Sequence, residues 1–537
     1  MREVKKDYLI FGAILIFSLV LRVLFLDKPG GFWHNEMVMY NQASAAFPLG
    51  IIKAAVSSDV HFPLYQLILN LWMKLFGNGD ITIRLFSVVV GVFAVLFAFL
   101  AGKELKDEKL GNIFALLVAI NSTLIFYSQE VKFYGMLATL SSMVIYFTLK
   151  IIKGDKLKDY LGYILSTSAI IYTFTIGILY VAAHSIAFLT FILIKKRELL
   201  RKFLIANFSI LVTIIPFAIY LILNFGKYEG ASWIFTNNIY TTFVLLQNYF
   251  SPVIVGIYNN PLVYIPRLAF NSFIFIYIPC GLALWGIIRA VKNDKNNYYL
   301  LATPLLFLLF EVILCANSGL RMLTRYTILA VVPLLFLVAI GFRSLSCKLR
   351  AVVLSYIFIV NTLFLIGSPM SALRGYRDFG QKPTANILIK NNISSDDVVV
   401  NALRKTDFNK YLDFKGKKFS MLNDFVYQPY AYDSSKPNKY EAFRNYIFDK
   451  RQINKEYEKY FLKTVINPMK KGSRLFLLWD ENYQTYPFED EKNYKNYPIM
   501  TLSLSKTNAD TIRLCIKYLK PQNAYQSNHF KVLIFKK

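Results

Sequence analysis

Nine ionisable side chains interrupt or border long apolar runs in this chain: Glu36, Asp59, His61, Arg84, Glu130, Lys132, Glu311, Arg321 and Arg325. Burying such groups at membrane depth is expensive, so each is a functional candidate. Their types divide the possible work. Glu36, Asp59 and Glu130 could take a proton from a nucleophile, the cations could stabilise a developing anion, and a neutral His61 could ligate a metal ion. Each also has a simpler structural reading. Asn35-Glu36 suits the start of a helix, Glu130 could pair with nearby Lys132, and Arg84 could snorkel to an interface. His61, just before Pro63, could be an ordinary helix-start residue.

The elements that must position these residues are membrane spans. The chain has 537 residues, 55% of them hydrophobic and 18% charged, against the roughly 25% charge of a soluble domain. Its mean hydropathy is +0.41. A bilayer core about 30 Å thick needs roughly 20 apolar residues in a helix. Eleven such runs occur: Tyr8–Leu26, Ile81–Ala101, Gly111–Phe126, Val131–Leu149, Tyr160–Thr175, Ile178–Ile194, Phe203–Phe225, Leu268–Ile288, Tyr298–Asn317, Tyr326–Phe342 and Ala351–Ile366. The first is too long for a cleaved signal peptide and lacks a small-residue cleavage site, so it reads as a retained helix. Alternate connections are rich in Lys and Arg, as in Lys103, Lys106 and Lys109 or Lys195, Lys196 and Arg197. The positive-inside bias then places the N-terminus in the cytoplasm and the nine ionisable residues on the outer side. The net charge of +28 is thus dispersed as topological signals instead of forming a nucleic-acid-binding stripe.

Two outer connections are long. Residues 27–80 include His61–Phe76, whose pattern suits a helix lying at the interface, and Gly226–Arg267 is rich in Tyr, Asn and Phe. A polytopic α-helical membrane domain is expected over 1–367 and a small extracytoplasmic α/β domain over 368–537. In the latter, strands are expected near Val398–Val400, Phe419–Leu422, Arg474–Trp479 and Val532–Phe535, with helical spacing at Thr384–Lys390 and Glu441–Lys463. No metal-ligand spacing links Cys280, Cys315, Cys347 and Cys515. No internal repeat is evident, which disfavours a transporter built from paired halves.

Several elements in order resemble those of one family. Phe32-Trp33-His34-Asn35-Glu36 is similar to "LW-x-DE", Asp59-Val60-His61-Phe62-Pro63-Leu64-Tyr65 to "D-x-H-P-P-L-Y", and Leu75-Phe76-Gly77 to "LFG". Arg84-Leu85-Phe86-Ser87 followed by Gly91 resembles "R-L-P-S…G", and Tyr127-Ser128-Gln129-Glu130-Val131-Lys132-Phe133-Tyr134 resembles "Y-S-Q-E-A-R-x-Y". Arg325-Tyr326 with Pro333 resembles "R-Y…P". These are motifs of polyprenyl-phosphate-dependent membrane glycosyltransferases of the GT-C superfamily, in the branch of protein O-mannosyltransferases and lipid A aminoarabinose transferases. The resemblance is strongest over residues 8–150 and weak beyond 367.

What the resemblance implies is a GT-C fold in the cell membrane, a sugar donor carried on a polyprenyl phosphate, and an acceptor from the cell envelope on the outer face. Glu36, Asp59 and Glu130 become the catalytic carboxylates. Arg84, Lys132, Arg321, Arg325 and Tyr326 become donor-phosphate ligands, and His61 with Glu36 a site for a divalent metal ion. Three departures stand out: Asn35 where relatives have Asp, Phe62 where they have Pro or Lys, and Lys132 where they have Arg. An amide cannot take a proton, so Asn35 leaves the base role to Glu36 or Asp59. It also keeps open a non-catalytic protein that binds lipid-linked sugar.

Overall fold

The computed structural model describes residues 2–24, 26–27, 31–58, 61–223, 281–286, 288, 303–310, 312–313, 325–367, 381–401, 420–422, 453, 455–480, 510–527 and 530–537. The chain divides into two units, residues 1–27 with 38–372, and residues 28–37 with 373–537.

In the first unit the apolar runs become helices. These are α1 (Arg2–Val23), α3 (Leu49–Ser58), α4 (Leu64–Phe76), α5 (Asp80–Leu105), α6 (Glu108–Ile120), α7 (Ser122–Ser128), α8 (Tyr134–Gly154), α9 (Leu157–Thr173), α10 (Gly177–Lys195), α11 (Leu200–Leu223), α12 (Val331–Arg343) and α13 (Cys347–Gly367). The remaining helix, α2 (His34–Ala43), begins in the second unit. Among the described residues four helices are long and apolar enough to cross a membrane: Asp80–Leu105, Tyr134–Gly154, Gly177–Lys195 and Arg197–Pro216. The pair α6 and α7, bent by 61°, makes a fifth if read as one broken span. Helices also stand at the expected positions of α1, α9, α12 and α13. Of the expected spans Leu268–Ile288 and Tyr298–Asn317, residues 281–286, 288, 303–310 and 312–313 are described and helical; the rest of both and the loop Gly226–Arg267 lie outside the described residues.

At the centre α5 packs along α6 and α8. Small residues permit the approach, as membrane helices require. A Cβ added at Gly102 would stand 2.8 Å from the Gly111 Cα, and one at Gly91 would stand 2.8 Å from the Ser128 Cβ. Between α5 and α6, charges close the helix ends. Asp107 caps α6 by accepting from the Leu110 N–H (2.7 Å) and meets Arg343 of α12 at 3.4 Å.

The helix expected within His61–Phe76 is α4, which buries Tyr65, Leu69 and Met73 together with two amides. Gln66 and Asn70 are buried while Leu71, Leu75 and Phe76 are exposed. Each buried amide donates from its nitrogen: Gln66 Nε2 to Gln42 Oε1 and Asn70 Nδ2 to the Ala43 carbonyl, both at 2.8 Å.

The second unit holds a five-stranded sheet of order β2-β1-β3-β5-β4, formed by β1 (Val398–Asn401), β2 (Ser420–Leu422), β3 (Arg474–Asp480), β4 (Lys520–Ser527) and β5 (Phe530–Lys536). Strand β1 is parallel to β2 and β3; β5 is antiparallel to β3 and β4. Alternate residues serve two cores. Val398, Val400, Leu475, Leu477 and Phe535 face Tyr457 and Phe461 of α15 (Lys455–Phe461) together with Leu514 and Cys515 of the helix at 510–518. Val399, Phe476, Leu478, Val532 and Ile534 face Ala385 and Leu388 of α14 (Gln381–Lys390). A sheet covered on both faces explains why β1 and β3 read as unbroken apolar runs.

Candidate functional site

The Tyr127–Tyr134 motif forms the connection between α7 and α8. It turns tightly, with the Lys132 N–H donating to the Glu130 carbonyl at 2.7 Å and the Gln129 N–H to that of Phe126 at 3.1 Å. Connections normally run over the surface, but residues 128–134 are buried throughout. Glu130 is 1% exposed and Lys132 8%, so neither is the solvated interfacial charge that the simpler reading would give.

Aromatic rings tie this turn to three other segments. Lys132 Nζ lies 4.9 Å from the centroid of the Phe133 ring, a cation–π contact. Phe133 meets His61 at 5.2 Å and Phe174 at 5.4 Å, and Phe174 in turn stacks on Tyr326 at 6.3 Å. The Arg325 guanidinium sits 5.1 Å above the Tyr326 ring and within electrostatic reach of Tyr127 and Tyr134. Tyr127 and Tyr134 pack edge to face at 4.8 Å. Thus His61, Lys132, Arg325 and Tyr326, separated by up to 265 positions in sequence, border one aromatic cluster within the first unit, and Glu130 is buried in the same turn as Lys132.

Arg84 is fully buried in α5, donating from Nη1 to the Leu26 carbonyl at 3.4 Å, so it does not snorkel. Beside it on α5, Ser87 bonds the Tyr65 hydroxyl at 2.6 Å, joining two further motif residues. Glu36 belongs to the second unit, at the start of α2, and is 1% exposed. Its Oε2 accepts from the Trp33 N–H at 3.2 Å, half of a capping box. The cap anticipated at Asn35-Glu36 therefore exists, but the carboxylate is not solvated. Asp59, Glu311 and Arg321 lie outside the described residues.

The metal expectation meets specific chemistry at His61. The Thr175 N–H donates to His61 Nδ1 at 3.3 Å, with Thr175 Oγ1 3.2 Å from the same nitrogen. Accepting at Nδ1 puts the hydrogen of the neutral ring on Nε2, so the ring offers a donor instead of a lone pair. Among the described residues no three His, Cys, Asp or Glu side chains gather to hold an ion. The described arrangement of His61 does not fit a metal ligand.

One element was not anticipated from the motifs. Arg22 of α1 is completely buried and touches the Tyr127–Tyr134 segment through Ser128, to which its Nε donates at 3.3 Å. Its signal in the sequence was an arginine inside the apolar run Tyr8–Leu26.

The model of the family described as dolichyl-phosphate-mannose-protein mannosyltransferase matches residues 60–223, which include His61, Arg84, Glu130 and Lys132. No curated protein matches the sequence as a relative. Among solved structures, ArnT from Cupriavidus metallidurans bound to undecaprenyl phosphate is similar with a TM-score of 0.55 at 12% identity, over 98% of this chain and 97% of that one. The apo state of the same ArnT gives 0.56 at 11% identity, over 97% and 98%. The chain thus has the fold of ArnT, and its family-model match over residues 60–223 is to the mannosyltransferases.

Proposed function

We propose that this protein is a membrane glycosyltransferase that moves a sugar from a polyprenyl-phosphate carrier to a cell-envelope acceptor on the outer face of the cell membrane. The observation that carries this reading is the buried Tyr127–Tyr134 turn. It buries the Glu130 carboxylate and brings the Lys132 cation to an aromatic cluster shared with His61, Arg325 and Tyr326, and the turn lies inside the segment matched by the mannosyltransferase family.

In the reaction, the acceptor heteroatom attacks the anomeric carbon and the carbon–oxygen bond to the phosphate breaks. The sugar is transferred with inversion and the carrier departs as polyprenyl phosphate. A phosphate is already a stable anion, so no strong general acid is needed. A carboxylate takes the acceptor proton, a task for Glu36, Asp59 or Glu130, and cations hold the leaving group. Lys132, Arg84, Arg325 with Tyr326, and Arg321 are the phosphate ligands in this reading. Tyr326 also holds the Arg325 guanidinium over its ring. No step is routed through a metal ion. The membrane part is residues 1–367, and residues 368–537 serve acceptor binding on the outer face.

A second reading is favoured by Asn35, which stands where the family carries Asp: a protein that binds lipid-linked sugar without transferring it. Sugar transfer in purified membranes, with expression checked, separates the two. Glu36→Gln and Glu130→Gln are expected to lower transfer by about 10²- to 10⁴-fold each if they act as base or acceptor-orienting groups. Full activity in both variants would sink the site assignment. Mass-spectrometric comparison of envelope glycans with and without the protein identifies the acceptor through the sugar that disappears, and no change in any glycan favours the second reading.

A further inference from the structure

The break between α6 and α7 has an unusual solution. Helix α6 ends at Ile120 because Asn121 adopts an extended backbone (φ −63°, ψ 113°), and the Asn121 side chain starts α7 by accepting from the Leu124 N–H at 2.9 Å. Ending a helix inside a bundle orphans its last carbonyls, where water cannot reach them. The Asn121 N–H takes the Leu117 carbonyl. The next two are taken by an arginine from another helix: Arg22 Nη2 donates to the Val118 carbonyl at 3.1 Å and Nη1 to that of Ala119 at 3.0 Å.

The same guanidinium continues past the joint. Its Nη1 donates to Ser18 Oγ at 2.6 Å and to the Ser18 carbonyl at 3.4 Å, and Nε donates to Ser128 Oγ. Coming back the other way, Gln129 Nε2 donates to the carbonyls of Arg22 at 3.1 Å and Leu24 at 2.7 Å. Glycine at position 91 is what leaves room: a Cβ there would lie 3.7 Å from Arg22 Nε and overlap Ser128. Thus Ser128 and Gln129, the two residues immediately before Glu130, are both clamped to the end of α1. Among the described residues no carboxylate pairs with Arg22, so the negative end of the α6 dipole and neutral acceptors hold its charge.

Stability alone is a poor reason for this device, since an unbroken apolar span would need no buried cation. We propose that Arg22 is a positioning residue: it locks the α6–α7 joint and through Ser128 and Gln129 fixes the turn that presents Glu130 and Lys132. This rests on the glycosyl-transfer reading for its catalytic consequence. Lysine would replace it incompletely, because a single ammonium cannot span two carbonyls and two hydroxyls as the planar fork does.

The test uses the full-length protein in lipid nanodiscs. Amide hydrogen exchange by mass spectrometry compares wild type with Arg22→Met and Arg22→Lys. The expected result is exchange faster by about tenfold or more in Arg22→Met within residues 118–134, with peptides from α5 and α10 unchanged. Transfer measured per folded molecule is expected to lose about 10²-fold in kcat in Arg22→Met with little change in donor KM, and to recover partly in Arg22→Lys. Unchanged exchange over 118–134 overturns the proposal, and so does uniform acceleration over all helices with kcat per folded molecule intact. If wild type transfers no sugar from any polyprenyl-phosphate donor, the functional reading has failed, while the exchange comparison still decides the clamp.

Discussion

At the scale of single residues, the site is built from charges that the fold has removed from water. Lys132 is the clearest case because its position differs from the arginine of related motifs. Held over Phe133, its ammonium is a point charge, able to bind phosphate oxygen without the two-pronged geometry of arginine. A charge-assisted hydrogen bond is worth about 1.5–3 kcal/mol, so Lys132→Met should raise the donor KM roughly tenfold or more. Steady-state kinetics with varied donor checks this, and an unchanged KM would remove Lys132 from the phosphate site. The candidacy of Glu130, Lys132 and Arg84 was legible in the sequence because each interrupts or borders an apolar run. The role of Arg22 was not, because an arginine near the end of a first span looks like an ordinary boundary residue. Nor could the sequence foretell the state of His61, which depends on Thr175, a residue 114 positions away.

At the scale of elements, spacing of small residues governs how closely the helices meet. Gly91→Ala puts a Cβ 2.3 Å from Ser128 Oγ, so the α5–α7 contact must open. Overpacking of this kind costs about 1–3 kcal/mol, read as a lower melting temperature in detergent, and Ser128→Gly in the same chain should restore part of it. In the α/β unit, the start of β3 is fastened by Asp397. It accepts from the Arg474 N–H at 2.8 Å and pairs with Arg474 Nη2 at 2.7 Å, and the Ser394 N–H donates to it at 2.8 Å. Burial pushes the Asp397 carboxyl up, but the hydrogen bonds from Arg474 and Ser394 outweigh it and hold the group below the usual carboxylate range. A depressed folded value means that the stabilisation is complete above the unfolded value of about 3.9 and is lost as pH falls through the folded one. The melting temperature should therefore drop on acidification below about pH 4, less so in Asp397→Asn, and identical pH profiles would refute the linkage. Most elements were legible from periodicity: strands β1, β2, β3 and β5 and helix α14 stand where apolar runs foretold them. Strand β4 (Lys520–Ser527) was not, because an edge strand of exposed polar residues with Pro521 carries no alternating pattern. The break at Asn121 was hidden for a related reason: its cost is met by Arg22, far away in sequence.

At the scale of the whole molecule, the surplus of positive charge has two meanings. Before Ser368 the positive-inside reading assigns it to topology. After Pro369, 30 basic residues oppose 17 acidic ones, a surplus suited to anionic envelope material. Both statements depend on the parity of the membrane crossings, since an odd number puts the two signals on opposite sides. Labelling with a membrane-impermeant maleimide tests that parity directly. In a cysteine-free background, Glu198→Cys lies in the basic connection between α10 and α11, and Gln522→Cys lies on exposed β4. Intact cells should label Gln522→Cys and leave Glu198→Cys unlabelled until they are permeabilised. Labelling of both in intact cells, or of neither, would mean an even number of crossings between residues 198 and 522. In that case the positive-inside argument and the outer location of the α/β unit cannot both hold. Labelling of Glu198→Cys alone would invert the molecule, putting the face that carries Glu130 and Lys132 toward the cytoplasm, where an envelope acceptor could not reach it.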